Sequence, residues 1–169
     1  EEDFARMAAI TTAEDSYLKT SAFKHAKNRI PWLILLMFTS TITGSIISGF
    51  EEAISALPIM VSFIPMLMDT GGNCGSQASV TIIRGLALDE IKIKDIFKVI
   101  WKEFSISLMV GTALAVFNFF WIWFVSGQMT VGAVVAVTLF AVVILAKFIG
   151  CCMPILAKAV HLDPALVSS

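Results

Sequence analysis

Three side chains that end in oxygen-bearing groups, Asp69, Asn73 and Gln77, recur at every fourth residue near the middle of the chain. On an α-helix, successive members of such a series differ by about 40° around the axis, so they form one polar stripe roughly 12 Å long. The stripe offers one carboxylate and two amide oxygens, which suit Mg²⁺, Ca²⁺ or Mn²⁺ better than zinc or copper. The spacing therefore predicts a site for a divalent cation.

The stripe belongs to a glycine-rich segment, residues 65–77 (PMLMDTGGNCGSQ), which is set between two apolar runs. Polar groups at membrane depth are energetically costly and are therefore functional candidates. A structural interpretation is also open, in which the amides only hydrogen-bond between helices and Asp69 lies in solvent. Five further residues of the segment favour close helix packing or bending: Pro65, Gly71, Gly72, Gly75 and Ser76.

The composition is that of a membrane protein. Of the 169 residues, 57% are hydrophobic and 15% are charged, and the mean hydropathy is +0.86. In soluble domains, about one half of the residues are hydrophobic and about one quarter are charged. The net charge of −1 gives no reason to expect a nucleic-acid partner. The three cysteines, Cys74, Cys151 and Cys152, lack the spacing of a zinc site, so we expect reduced thiols.

Four apolar segments are long enough to cross a bilayer, at about residues 30–49, 53–83, 104–125 and 131–159. We predict an all-α membrane protein with a bundle of four spanning helices, preceded by an amphipathic surface helix within the charged residues 1–29. The second segment is longer than a straight crossing needs, so we expect it to bend. We expect Lys147 to extend to the near membrane surface, and no acid besides Asp69 to lie inside a span.

The basic residues predict the orientation of the chain. With four crossings, all twelve Lys and Arg residues fall on one side, whereas the opposite turns carry Glu51 and Glu52. By the positive-inside rule, both ends are cytoplasmic. We therefore predict a multi-pass protein of the cell inner (plasma) membrane with a cytoplasmic N-terminus.

Three other functional interpretations start from the same segment. Residues 69–71 (DTG) match the aspartic protease motif, in which two carboxylates share a proton. That motif lies among β-strands, so no enzyme is predicted. A secondary carrier would bind an organic ion at a broken second helix. A non-conducting scaffold would use the segment only to pack other subunits.

Four motifs resemble the MgtE family of magnesium channels: residues 29–33 (RIPWL), 65–77, 83–88 (IRGLAL) and 161–166 (HLDPAL). The resemblance covers nearly the whole chain. It implies a homodimer in the lipid bilayer, with five spanning helices per subunit and a central pore that passes hydrated Mg²⁺ down its electrochemical gradient. The second helix of the family lines this pore. Its Gly-Gly-Asn asparagine corresponds to Asn73, with Asp69 one turn earlier as a second Mg²⁺ ligand.

The resemblance also implies cytosolic regulatory domains that sense Mg²⁺ and connect to the pore through an amphipathic helix, here within residues 1–29. The acidic residues Glu1, Glu2 and Asp3 would match a regulatory divalent-ion region. Relative to this pattern, we expect the 169 residues to comprise neither the cytosolic domains nor the fifth span, which the resemblance implies would bear a pore aspartate. Mg²⁺ is the expected transported ion and ligand, without an organic cofactor.

Overall fold

A computed structural model describes residues 21–55 and 58–160, together with Pro164. Most of the predicted surface-helix region lies outside these residues, and so do Glu1, Glu2 and Asp3. Within the described part, the regular structure is helical and no β-strand occurs. The contacts divide the chain into two compact units, residues up to 57 and residues 58–168, which are described separately.

The first unit contains α1 (Ala22–Gly49) and the short α2 (Glu51–Ser55). The hydroxyl oxygen of Ser21 caps α1 by accepting a hydrogen bond from the Lys24 backbone N–H at 3.3 Å. α1 has 28 residues, about 42 Å of helix, and is apolar enough to cross a membrane. Its threonine and serine hydroxyls donate to carbonyl oxygens of the preceding turn, which satisfies them without water: Thr39, Thr41, Thr43 and Ser45.

The second unit contains three long helices: α3 (Ile64–Ala87), α4 (Ile96–Ser126) and α5 (Met129–Ala159). α5 packs against both α3 and α4. α4 and α5 are long and apolar enough to cross a membrane, whereas α3 has the length but a more polar composition. With α1, the described part of the chain has three candidate spans, and the predicted all-α membrane fold is confirmed.

The stretch predicted as one second span is divided in the structure. It contains α2, a 3₁₀-helix (Pro58–Phe63) and then α3. Pro65 lies in the first turn of α3, where a proline removes no intrahelical hydrogen bond. From there α3 runs without interruption through Gly71, Gly72 and Gly75, so these glycines do not break the helix.

α4 also begins earlier than predicted. A 3₁₀-turn (Ile93–Asp95) leads directly into it, and the Asp95 carboxylate accepts a hydrogen bond from the Lys92 N–H at 3.2 Å. No proline interrupts the sequence from there to Ser126, so the helix is continuous. At its end, Gly127 adopts φ 67°, a left-handed conformation that glycine tolerates, and its N–H bonds to the Trp123 carbonyl oxygen.

The core of the second unit follows one stripe of α5. Seven residues spaced by four are all buried: Val131, Val135, Leu139, Val143, Lys147, Cys151 and Ile155. Small residues bring α4 close to α5, since a Cβ added at Gly111 would lie 3.0 Å from the Phe140 ring. The three cysteines are free, and Cys74 and Cys151 are buried.

α3 and α5 approach each other backbone to backbone. A Cβ at Gly150 would collide with the Gly75 carbonyl oxygen, and one at Gly75 would lie 3.3 Å from the Ala146 carbonyl oxygen. Near the end of α3, the Lys158 ammonium donates a hydrogen bond to the Leu86 carbonyl oxygen at 3.0 Å, where the helix dipole favours a cation. The register of α3 on α5 is therefore fixed by contacts at two places along the helices, at Gly75 and at Leu86.

We expect Gly150→Ala to destabilise the protein by about 1–3 kcal/mol, because the new methyl group has no room beside α3. The measurement is the thermal unfolding midpoint of the purified protein in detergent.

Gly72→Ala is the matched control, because a Cβ at Gly72 meets no atom within 4 Å. An equal loss of stability in both variants would contradict the proposed contact between α3 and α5.

Candidate functional site

α3 has two chemically different faces. The face toward α5 is small or apolar and is buried, with Gly71, Cys74, Ala78, Ser79, Ile82, Gly85 and Leu86. The other face exposes Asp69, Gly72, Asn73, Ser76 and Gln77. This separation follows from the sequence, because residues four apart lie on one side of a helix. The three residues of the predicted polar stripe therefore share one exposed face.

Two members of the stripe are directly bonded. The Asn73 side-chain amide donates a hydrogen bond from Nδ2 to Asp69 Oδ2 at 3.1 Å. This bond engages the donor end of the amide and orients its Oδ1 oxygen as an acceptor or ligand. Gln77 lies one further turn along the same face. The carboxylate and the amide thus form one unit, which the spacing alone did not reveal.

The chemistry of this face suits a cation that keeps its water. Mg²⁺ gives up water reluctantly and usually binds through one or two carboxylates together with several water molecules. Within residues 21–55 and 58–160, no group of three or more His, Cys, Asp or Glu side chains is arranged to hold a metal ion. One carboxylate beside amide oxygens could bind the hydrated ion weakly, as conduction requires.

The packing candidates of the segment divide between the two faces. Gly71 and Gly75 lie against α5; a Cβ at Gly71 would be 2.8 Å from Val142 Cγ1. Pro65, Gly72 and Ser76 are exposed. Because α3 is continuous across the segment, the broken helix that the organic-ion carrier requires is not present between Ile64 and Ala87.

The predicted position of the Lys147 side chain is wrong. This side chain does not extend to the membrane surface but is 7% exposed and lies 3.6 Å from Glu103, whose own side chain is 9% exposed. Glu103 was expected outside the spans, yet it is buried in α4. A charge deep between helices is tolerated when an opposite charge faces it, because an isolated charge there is costly.

Helical periodicity contains the signal for this pair. Lys147 is in register with the buried stripe of α5, four residues after Val143 and four before Cys151. Glu103 is likewise four residues before Ser107, which begins the small-residue face of α4 and is also buried. Extending each stripe through its charged residue would have predicted two facing charges.

Other buried polar groups were also missed. The Asn118 amide donates to the Met66 sulfur at 3.0 Å and joins the C-terminal half of α4 to the start of α3. Three buried oxygens have no hydrogen-bond partner within the described residues: Ser79 Oγ, Glu103 Oε2 and Asn118 Oδ1. The interior of this unit is therefore more polar than its hydropathy suggests.

Comparison with known proteins identifies the family to which this chain belongs. Residues 64–169 match the model of the MgtE family, described as "Divalent cation transporter". This match covers more than half of the chain, and it begins at the first residue of α3. The chain belongs to the MgtE family of divalent cation transporters and is a multi-pass membrane protein.

Curated relatives extend the similarity to almost the whole chain. The chain is 36% identical to the magnesium transporter MgtE of Bacillus subtilis over 99% of its own length. It is 32% identical to that of Thermus thermophilus and 29% identical to that of Enterococcus faecalis, again over nearly its full length. The chain spans only 36–37% of the length of these relatives.

We expect either single variant, Lys147→Met or Glu103→Gln, to destabilise the protein. Lys147→Met leaves the Glu103 carboxylate buried without a cation, and Glu103→Gln leaves the Lys147 ammonium buried without an anion. Lys147→Met, which leaves an unpaired carboxylate, should cost about 3–5 kcal/mol. The double variant should recover most of that loss, since no buried charge remains. The measurement is thermal unfolding of all three variants in detergent.

Lys98→Gln is the control, because Lys98 pairs with Asp95 at 3.7 Å but is 88% exposed, and exposed pairs contribute little. Additive losses in the Glu103 and Lys147 double variant would show that the two side chains are not coupled.

Proposed function

We propose that the chain is part of the membrane domain of a homodimeric Mg²⁺ channel, which passes hydrated divalent cations down their electrochemical gradient. The observation that carries the proposal is the exposed Asp69–Asn73–Gln77 face of α3, opposite a face that is tightly packed on α5. Membership of a divalent cation transporter family and similarity to proteins named magnesium transporters support the choice of ion.

A second copy of the chain explains why this polar face is exposed. A single α3 supplies one carboxylate, and a polar face directed at lipid would be costly. Two α3 helices related by a two-fold axis would offer two carboxylates and four amides to a shared aqueous path. In this arrangement Asn73 and Asp69 bind the ion through its water shell, and Mg²⁺ is cargo rather than a resident cofactor.

The charge distribution supports a cytoplasmic N-terminus in an inner or plasma membrane. Within the second unit, α3 and α5 run parallel and α4 runs antiparallel to α5. Arg84 near the end of α3, Lys98 near the start of α4 and Lys158 near the end of α5 therefore lie at the same end. The turn between α4 and α5, at the other end, carries no charge. The positive-inside rule assigns the basic end to the cytoplasm.

Cytosolic regulatory domains are part of the same proposal. The relatives are much longer than this chain, which leaves room for them. The part of residues 1–29 that precedes α1 would connect them to that helix, and Glu1, Glu2 and Asp3 would contribute to a regulatory divalent-ion region. This role agrees with a transporter that has no enzymatic activity.

We expect Asn73→Ala to lower Mg²⁺ flux about tenfold, because losing one hydrogen bond to a cation's water shell costs about 1.5 kcal/mol. The measurement is uptake into liposomes that contain the full-length protein and a Mg²⁺-sensitive dye.

Thr138→Ala is the control, because Thr138 is exposed on α5 and its hydroxyl bonds only within its own helix, to the Val134 carbonyl oxygen. Unchanged Mg²⁺ flux in Asn73→Ala would contradict the pore assignment. Saturable uptake of an organic solute without Mg²⁺ conduction would instead indicate a carrier.

We expect Asp69→Asn to reduce flux most strongly at low ionic strength. The carboxylate concentrates divalent cations near the stripe, and salt screens that attraction over a Debye length of about 10 Å at 0.1 M. Flux ratios between variant and wild type, measured at several concentrations of an inert salt, test this effect. A ratio that does not change with salt would argue against an electrostatic role for Asp69.

A further inference from the structure

A cationic and aromatic patch covers the beginning of α4. Lys94 and Lys98 are four residues apart and exposed, with 88% of the Lys98 side chain accessible. Phe97 and Trp101 show the same spacing and are 82% and 71% exposed. Aromatic side chains beside lysines are typical of the level where the lipid headgroups meet the hydrocarbon core.

Lys98 and Trp101 are neighbours on the surface of α4, because they are three residues apart on the helix. Lys94 lies in the 3₁₀-turn that leads into α4, four residues before Lys98. Lys98 lies 3.7 Å from Asp95, but such an exposed pair is weak and leaves most of the Lys98 side chain accessible. Arg84, by contrast, is an exposed cation of a different helix, α3.

An apolar groove continues from this patch toward the middle of the helices. It has a volume of about 360 Å³ and lies between α4 and α5. Trp101 and Phe104 form its α4 wall, while Ile144, Leu145 and Phe148 form the α5 wall. Trp101 is thus both a wall of the groove and a neighbour of Lys98. A hydrocarbon chain in the groove would have its polar end beside the lysines.

We propose that the groove and the two lysines bind one anionic phospholipid, with an acyl chain against Trp101 and Phe104 and the headgroup at Lys94 and Lys98. The groove alone would accept any acyl chain. The cationic rim selects a net negative headgroup, because basic residues at a membrane surface attract anionic lipids. This inference needs only the membrane location and is independent of the transported ion.

Tryptophan quenching tests the site in the full-length protein. Trp101 is kept as the sole tryptophan, so that Trp32, Trp121, Trp123 and any others become Phe. The protein is reconstituted in two series of lipid mixtures. In the first, brominated phosphatidylglycerol is mixed with unlabelled phosphatidylcholine, and in the second, brominated phosphatidylcholine is mixed with unlabelled phosphatidylglycerol. We expect half-maximal quenching at a much lower mole fraction of the brominated anionic lipid than of brominated phosphatidylcholine.

Charge variants separate the proposed headgroup site from a general attraction to the surface. Lys98→Gln should reduce the preference for the anionic lipid about fivefold, and Lys94→Gln/Lys98→Gln more strongly. Arg84→Gln is the matched control, because it removes one positive charge at the same end of the unit from α3, none of whose residues lines the groove. Equal effects of Lys98→Gln and Arg84→Gln would overturn the proposal.

Two further results would also overturn it. Equal quenching by both brominated lipids would indicate a groove filled without regard to charge, and little quenching by either would indicate that another protein segment covers it. Native mass spectrometry of the wild type avoids the tryptophan replacements. We expect one phosphatidylglycerol retained per chain at the site and lost in Lys94→Gln/Lys98→Gln; equal retention in both proteins would refute the site.

Discussion

The close approach of α3 to α5 at Gly75 and Gly150 is the constraint on which the second unit depends. Because a single methyl group at Gly150 would collide with the facing backbone, the two helices have essentially one register and one separation. That register places the small and apolar face of α3 against α5. The same rotation of the helix leaves Asp69, Asn73 and Gln77 on the opposite side. The glycines therefore position the polar stripe, although they bind nothing themselves.

The ion pair between Glu103 and Lys147 plays a related part between α4 and α5. Inside a bilayer the hydrophobic effect does not drive helices together, because the lipid tails are as apolar as the side chains. Close packing and polar contacts must therefore hold the helices together. α3 is held by backbone contact and by Lys158, whereas α4 is held by small residues and by this pair. α5 is therefore the helix on which both neighbours pack. The position of α3 depends on Gly150 of α5, and the position of α4 depends on Lys147 of α5.

The sequence predicted the helical class, the shared face of the polar stripe and the family. These follow from local rules, since residues four apart share a side of a helix and apolar length indicates a span. It did not predict that α3 would remain one uninterrupted helix through three glycines, because packing against α5 supplies the support that glycine lacks. Nor did it predict the partner of Lys147, because a charge pair depends on which helices meet, and an isolated lysine is more simply directed to the surface.

The buried pair also has a consequence for how the protein is made. α4 leaves the ribosome before α5, since it comes first in the chain, so Glu103 reaches the membrane before Lys147 does. An unpaired acid in a spanning helix costs a few kcal/mol on insertion, which the many apolar residues of α4 can offset. Glu103 is only about 10 Å from the start of α4, near enough to stay hydrated at the headgroups. α4 would then reach its final depth only when α5 inserts and Lys147 pairs with Glu103. Membrane insertion and tertiary folding are therefore coupled at this contact.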